Sequence, residues 1–298
     1  MRVALFGGTG FVGGYLVRAL LTAGHEPSLL VRPGSEGKVV EAERCRITVG
    51  DITSLQAIEA TLVECDAAIY NIGLLREFPR KGITFENAHF LGVQRVVELA
   101  EKAGVNRFLL MSANGVKSPG TAYQETKFRA EQIVRASSLQ WTIFRPSIIF
   151  GDSGGMQEIT HQLYSELVKP PLPAPVFPGV QMSPVHINDV ADAFVNALSS
   201  ADTIGQVYEL GGPDELSWET MVSRVAEAAG RKKKLLPVPI GLMKIGATLF
   251  DWLPFFPATR EQLTMLQEGN TASPAHVTEL IGREPLAFTA ENLGHLKN

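Results

Sequence analysis

Tyr123 and Lys127 stand four residues apart in the run Tyr-Gln-Glu-Thr-Lys, a spacing that puts both side chains on one face of a helix. A tyrosine with an ordinary pKa of about 10 is a poor base near neutrality. An ammonium beside it favours the phenolate and lowers that value, so the pair is a candidate proton donor and acceptor for a carbonyl/alcohol couple. The bland alternative is a surface Tyr–Lys pair, common in any chain. The position of this one, just after a fifth predicted strand, favours the chemical reading.

Gly7, Gly10 and Gly13 lie in the segment FGGTGFVGG, after a strand-like apolar run and at the opening of a helix-like one. The first glycine permits a tight turn, the second lets the backbone approach a pyrophosphate, and the third allows close helix–strand packing. The helix N-terminus adds free N–H groups and the positive end of a dipole. Three spaced glycines alone are weak evidence, but the strand before and the helix after strengthen it. Thr9, Phe11 and Val12 belong to the same loop and count with it as cofactor-binding candidates. An NAD site usually carries Asp or Glu about 20 residues further on, at the end of the second strand, to hold the ribose 2′-hydroxyl. Arg32 stands there instead, with Lys38 nearby. A cation suits a 2′-phosphate, so NADP(H) is expected in preference to NAD(H); the alternative is a solvated strand-end charge.

The elements that must position these residues alternate in the first half of the chain, the pattern of βαβ units and a parallel sheet. Strands are expected at Val3–Phe6, Ser28–Val31, Ile47–Val49, Ala67–Tyr70, Phe108–Met111 and Trp141–Phe144, with helices beginning near Gly10, Leu55, Thr84 and Tyr123. Between Thr84 and Ala103 the residues Phe85, Val93, Val96, Val97 and Ala100 recur at helical spacing. Five prolines between Val168 and Pro178 imply irregular or extended chain. Ser183–Leu198 is amphipathic again, Val207–Leu210 reads as one more strand, and helix returns from Ser217. The expected fold is an α/β Rossmann-type doubly wound parallel sheet. Residues 1–155 form the nucleotide-binding domain, with 183–212 returning to it, and 156–298 form a smaller C-terminal substrate lobe.

Composition narrows the classes. The chain has 298 residues, 45% hydrophobic and 19% charged, with a formal net charge of -4, which describes a well-cored globular protein. No Lys/Arg stripe is interleaved with aromatics, so nucleic-acid binding has little support. The two cysteines, Cys45 and Cys65, make no disulfide framework. No secretory signal or bilayer-length apolar run is visible, and a cytoplasmic location is expected. The six histidines show no metal-ligand spacing, and no metal is expected; His89 and His186 read as structural. Gly151-Asp-Ser-Gly-Gly155 formally contains the nucleophile-elbow pattern of hydrolases, with His186 and Asp189 downstream. An elbow serine needs a helix directly after it, and here two glycines follow, which reads better as a flexible loop.

These motifs together resemble the extended and atypical short-chain dehydrogenase/reductase superfamily, with NAD-dependent epimerase/dehydratase-like members. GGTGFVG is similar to its nucleotide loop and Gly50-Asp-Ile-Thr53 to its adenine-side motif, which makes Asp51 and Ile52 cofactor-binding candidates. Asn71-Ile-Gly73 falls where that family's fourth strand meets the cofactor. Tyr123…Lys127 looks like its YxxxK motif, and Arg145-Pro146-Ser147 like the segment beside the nicotinamide. PVHINDVADAF and YELGG match as well, so the likeness covers nearly the whole chain. Within the superfamily the chain most resembles bacterial relatives of the dehydrogenase-like accessory subunit of respiratory complex I. The resemblance implies that Tyr123 and Lys127 are catalytic and that Lys127 also contacts the nicotinamide ribose. It places at Ser112 the hydroxyl that bonds the substrate oxygen, although the usual serine-rich run is here Met111-Ser112-Ala113-Asn114.

The expected activity is NADP(H)-dependent oxidoreduction, or epimerisation or dehydration through transient oxidation, on a small organic carbonyl/alcohol substrate. The alternative is a catalytically silent nucleotide-binding accessory or assembly protein of a membrane complex. Residues 231–257 open with Arg-Lys-Lys-Lys and continue almost without charge through Trp252 and Phe255. They are a candidate docking surface for a membrane or a partner protein, against the plainer reading that they pack on the substrate lobe.

Overall fold

The structure is a computed structural model that describes residues 1–156, 158–241, 243 and 260–297. It divides into two compact units, Met1–Arg145 with Ala191–Tyr208 and Pro146–Val190 with Glu209–Asn298.

The first unit is built on strands β1 (Arg2–Phe6), β2 (Glu26–Val31), β3 (Arg46–Val49), β4 (Ala67–Tyr70), β5 (Arg107–Met111) and β6 (Gln140–Pro146). With Gln206–Leu210 they form a seven-stranded sheet in the order (206–210)-β6-β5-β4-β1-β2-β3. The pairs from β3 across to β6 are parallel, with Val3 opposite both Pro27 and Ala67. The central strands β4 and β5 are buried along their whole length, which is why they read as continuous apolar runs and not as alternations. Strand order reverses between β1 and β4, and such a switch point opens a crevice at the strands' carboxyl ends.

Helices α1 (Phe11–Thr22), α2 (Leu55–Leu62), α3 (Gly92–Lys102) and α4 (Ala122–Ala136) connect the strands. Each start has a local cause. The Ser54 hydroxyl caps α2 by accepting from the Ala57 N–H, and Thr121 with Gln124 forms a reciprocal capping box on α4. The helix expected from Thr84 opens with a wide π turn over Glu86–Leu91. The Tyr70 hydroxyl donates to the Ala88 carbonyl at 2.6 Å, and the Gly92 N–H bonds Asn87 instead. A Cβ on Gly92 would lie 2.1 Å from that hydroxyl, so the turn widens around a buried tyrosine and only glycine fits beside it. The core packs Phe6, Tyr70, Phe108, Ile143, Val93 and Val97 together. Buried Arg107 donates to Thr142 Oγ1 at 2.7 Å, and to the Ala197 carbonyl and Thr203 Oγ1 at 2.8 Å each, tying the returning segment 191–208 to the sheet.

The second unit has its own core, including Phe150, Phe177, Trp218, Met221 and Phe288. The proline-rich stretch is extended in part, as expected, and departs from that form at its first residue. Val168 closes a π-helical turn begun at Leu163, and Ala174–Val176 is a true strand paired in parallel with Leu235–Pro237. Parallel pairing is compatible with Pro175 at an edge, where no ladder N–H is required. Of the candidate docking segment, 242 and 244–257 lie outside the described residues. In its described part, Lys233 Nζ donates to the carbonyls of Val168 and Pro170, and Ile240 and Met243 pack against the unit's core. Among the described residues, no helix is long and apolar enough to cross a membrane.

Candidate functional site

The glycine loop joins β1 to α1. Gly7 has φ +101°, and a Cβ there would meet the Asn71 carbonyl oxygen at 2.9 Å. A Cβ on Gly13 would fall 2.1 Å from the Gly7 oxygen, so this glycine sets how closely α1 approaches the strand. Gly10 differs: its nearest neighbour would be an ordinary 3.7 Å away. It is the N-cap of α1, which has no side-chain cap and no acid in its first turn. Such an end leaves backbone N–H groups available to an anion, and Gly10 is itself exposed, with Thr9, Phe11 and Val12 partly so. The loop thus fits the pyrophosphate of a dinucleotide, with Gly13 explained by packing and Gly10 by access.

Arg32 and Lys38 are both exposed beyond β2. Asp51 turns Oδ1 back to the Thr53 N–H and hydroxyl, both at 3.0 Å, which fixes the loop before α2. Ile52 packs partly against the core. At the end of β4 the Asn71 N–H donates to the Phe6 carbonyl at 2.9 Å. A Cβ on Gly73 would lie 3.9 Å from Lys127 Nζ, which brings that loop and α4 together.

On α4 the Lys127 ammonium is buried and donates to the Met111 carbonyl at 2.9 Å. Burial pushes its pKa down to about 8, against the opposing influence of Glu131. The Tyr123 ring stands edge-on to Phe85 and His89, with centroids 5.7 and 5.2 Å away. Its phenol differs from the expectation of a lowered pKa: burial pushes it up to about 12. The physical reason is that desolvation of the phenolate outweighs any help from Lys127, whose ammonium is directed at a carbonyl. His89 Nε2 accepts from the Leu74 N–H at 2.9 Å, and Nδ1 lies 3.3 Å from Thr126 Oγ1. Burial first, then the Lys127 charge, pushes its pKa down to about 2. His89 is therefore a neutral prop between the β4 loop and α4.

Ser112 directly follows β5, but its hydroxyl donates to Glu131 Oε1 at 2.6 Å and is buried. No motif in the sequence assigns Glu131 a role. Its signal was a carboxylate four residues after Lys127 on the buried stripe of an amphipathic helix. Pro146 and Ser147 fall in the second unit. There the Ser147 N–H donates to Leu210 at 2.9 Å and its hydroxyl to the Asn270 carbonyl at 2.7 Å.

The hydrolase constellation does not assemble. The Ser153 hydroxyl donates to the Met156 carbonyl at 2.6 Å, and Gly154 and Gly155 both take positive φ, so no helix follows directly. His186 Nδ1 accepts from the Asn188 N–H at 3.2 Å, and Asp189 takes the Leu286 N–H and Arg283, each at 2.7 Å. Among the described residues no group of His, Cys, Asp and Glu could hold a metal ion.

Residues 7–201 match the sequence profile of a family described as NAD(P)H-binding. The chain is 29% identical over 270 residues to the mitochondrial NADH-ubiquinone oxidoreductase 40 kDa subunit of Neurospora crassa, a match covering 85% of this chain and 68% of that one. It is 28% identical over 254 residues to the ceramide reductase of Caulobacter vibrioides, covering 84% and 78%. The UDP-glucuronic acid 4-epimerase of Bacillus cereus, solved with UDP-glucuronic acid and NAD, shares the fold at a TM-score of 0.77 and 16% identity, over 100% of this chain and 98% of that one.

Proposed function

The chain belongs to the NAD(P)H-binding family, and from that premise we propose that it is an NADP(H)-dependent oxidoreductase, or an epimerase or dehydratase working through transient oxidation. Its substrate is a small organic carbonyl/alcohol compound. The observation that carries this reading is Lys127. A buried ammonium is costly unless paired, and this one has three donors, of which one bonds a backbone carbonyl. It sits beside the Gly73 loop and one turn from Tyr123, where a ribose hydroxyl and a phenol would use the rest.

In this reading the first turn of α1 and the glycine loop hold the pyrophosphate, Asp51 and Ile52 border the adenine, and Arg32 takes the 2′-phosphate. The nicotinamide, when bound, supplies or accepts the hydride. Tyr123 keeps its proton through the physiological range and donates it to the substrate oxygen in the reductive direction, while Lys127 orients the ribose. Ser112 is left out of substrate activation because its hydroxyl is committed to Glu131.

Calorimetric titration tests the cofactor choice. NADPH should bind more tightly than NADH, and Arg32→Ala should weaken NADPH by roughly tenfold or more while sparing NADH, since guanidinium–phosphate hydrogen bonds are strong. Equal affinity of the parent protein for both nucleotides would sink the NADP assignment. The commitment of Ser112 also supports a second reading, a nucleotide-binding accessory protein without turnover, like the Neurospora relative in being part of a larger assembly. A carbonyl screen that finds no turnover despite tight NADPH binding decides for it.

A further inference from the structure

We infer that Glu131 is a positioning residue of this site: it fixes the ends of β5 and β6 against α4 and supplies the negative charge that supports the Lys127 ammonium. The inference rests on the reading of Lys127 as the cation facing the cofactor. Tyr123, Lys127 and Glu131 follow one another at intervals of four along α4, so they share one face of the helix. Glu131 is fully buried. Its Oε1 accepts from the Ser112 hydroxyl at 2.6 Å and from Arg145 Nε at 2.8 Å; its Oε2 accepts from Arg145 Nη2 at 2.7 Å. Arg135 Nη2 stands 3.6 Å away. One carboxylate thus joins Ser112, directly after β5, to Arg145, next to the last residue of β6, through charge-assisted bonds, a geometry that holds position as well as charge.

Among the described residues, these charged and titratable groups face Lys127. From the π turn comes His89, kept neutral because burial holds its pKa near 2. From α4 come Tyr123, protonated up to about 12, and Glu131, whose charge raises the Lys127 pKa against burial. β5 offers the Met111 carbonyl, the β4 loop offers Gly73, and Arg145 and Arg135 stand on the far side of the Glu131 carboxylate. The Lys127 pKa of about 8 falls between about pH 6 and pH 10, and the charge that raises it against burial is that of the carboxylate one turn beyond.

A purely structural Glu131 would hold Arg145 and Ser112 equally well at any pH in that range. A double-mutant cycle of Glu131→Gln and Lys127→Met, read by urea unfolding at about pH 6.5 and about pH 10, separates the two roles. Gln keeps the shape and the acceptor oxygen and removes the charge. The expected result is a coupling of roughly five- to tenfold in the unfolding constant at the lower pH, vanishing at the higher one where Lys127 is neutral. No coupling at either pH, or the same coupling at both, overturns the inference. If Glu131→Gln alone does not fold near neutrality, it should regain its fold when Lys127→Met is added or the pH is raised. Failure in every combination, with Glu131→Asp folding, also overturns it, because burial of charge-paired arginine would then be its whole role. NADPH titration of the parent protein runs alongside: coupling without nucleotide binding removes the cofactor reading and leaves Glu131 as the support of Lys127, and binding without coupling does the reverse.

Discussion

Replacing Lys127 by methionine should make the folded protein more stable near neutrality while removing its hold on nucleotide. Burial lowers the Lys127 pKa from 10.5 to about 8. At about 1.4 kcal/mol per pKa unit, keeping this side chain charged inside the fold costs about 3 kcal/mol. The sign follows from proton counting. Between about pH 8 and 10.5 the unfolded chain holds the proton that the folded chain has lost, so stability rises with pH across that window. Below about 8 both states are protonated, and the full penalty is present. Methionine fills a similar volume with no charge to desolvate. It loses the hydrogen bond to Met111, which is worth about 1 kcal/mol. The variant should therefore exceed the parent by about 2 kcal/mol at pH near 7 and show almost no advantage at pH near 10. Urea unfolding at the two pH values, with the same m-value in both proteins, measures this. A variant no more stable at neutrality, or one whose advantage is the same at both pH values, would refute the argument that Lys127 is kept charged at the expense of the fold. The trade of stability for a functional group is the expected one at a working site.

Two further outcomes follow from the geometry. Tyr123→Phe should abolish reduction of any carbonyl the protein turns over and leave NADPH affinity unchanged, since the ring still packs on Phe85 and His89; a steady-state assay retaining full rate removes the tyrosine from the chemistry. Gly13→Ala should destabilise the fold by more than about 2 kcal/mol, because its Cβ would sit 2.1 Å from a backbone oxygen. Gly10→Ala should cost less than about 1 kcal/mol in denaturant titrations and weaken nucleotide binding, and the reverse order would invalidate the division of labour drawn between these glycines.

What could be read in advance depended on how local the physics was. The strands β4 and β5 announce themselves because a strand buried on both faces must be apolar throughout, and the glycines announce the loop because φ +101° at Gly7 and the contact at Gly13 admit nothing larger. The resemblance to dehydrogenase-like relatives was visible in the same motifs and is matched by the Neurospora and Caulobacter proteins. Three features lay beyond such reading. The π turn at Glu86–Leu91 is set by Tyr70, a residue 16 or more positions earlier whose hydroxyl takes a helix carbonyl. The bond from Ser112 to Glu131 spans 19 residues. The upward shift of Tyr123 reflects how deeply its surroundings are desolvated, which a four-residue spacing does not encode.

Reduction asks less of this site than oxidation does. To reduce a carbonyl, the proposed site must give a proton to the oxygen as it gains charge, and burial, which pushes the Tyr123 phenol up to about 12, keeps that proton on it. To oxidise an alcohol, the same phenol must first have lost that proton, and burial opposes the loss. The nearby cation does not remove the difficulty, because the Lys127 ammonium bonds Met111 and loses its own charge above about 8. Nor does a serine hydroxyl share the load, since Ser112 is held by Glu131. Epimerisation through transient oxidation requires both directions in turn and so meets the harder step in every cycle. On the proposed assignment of Tyr123 as proton donor, carbonyl reduction is the reaction class that burial of the phenol favours.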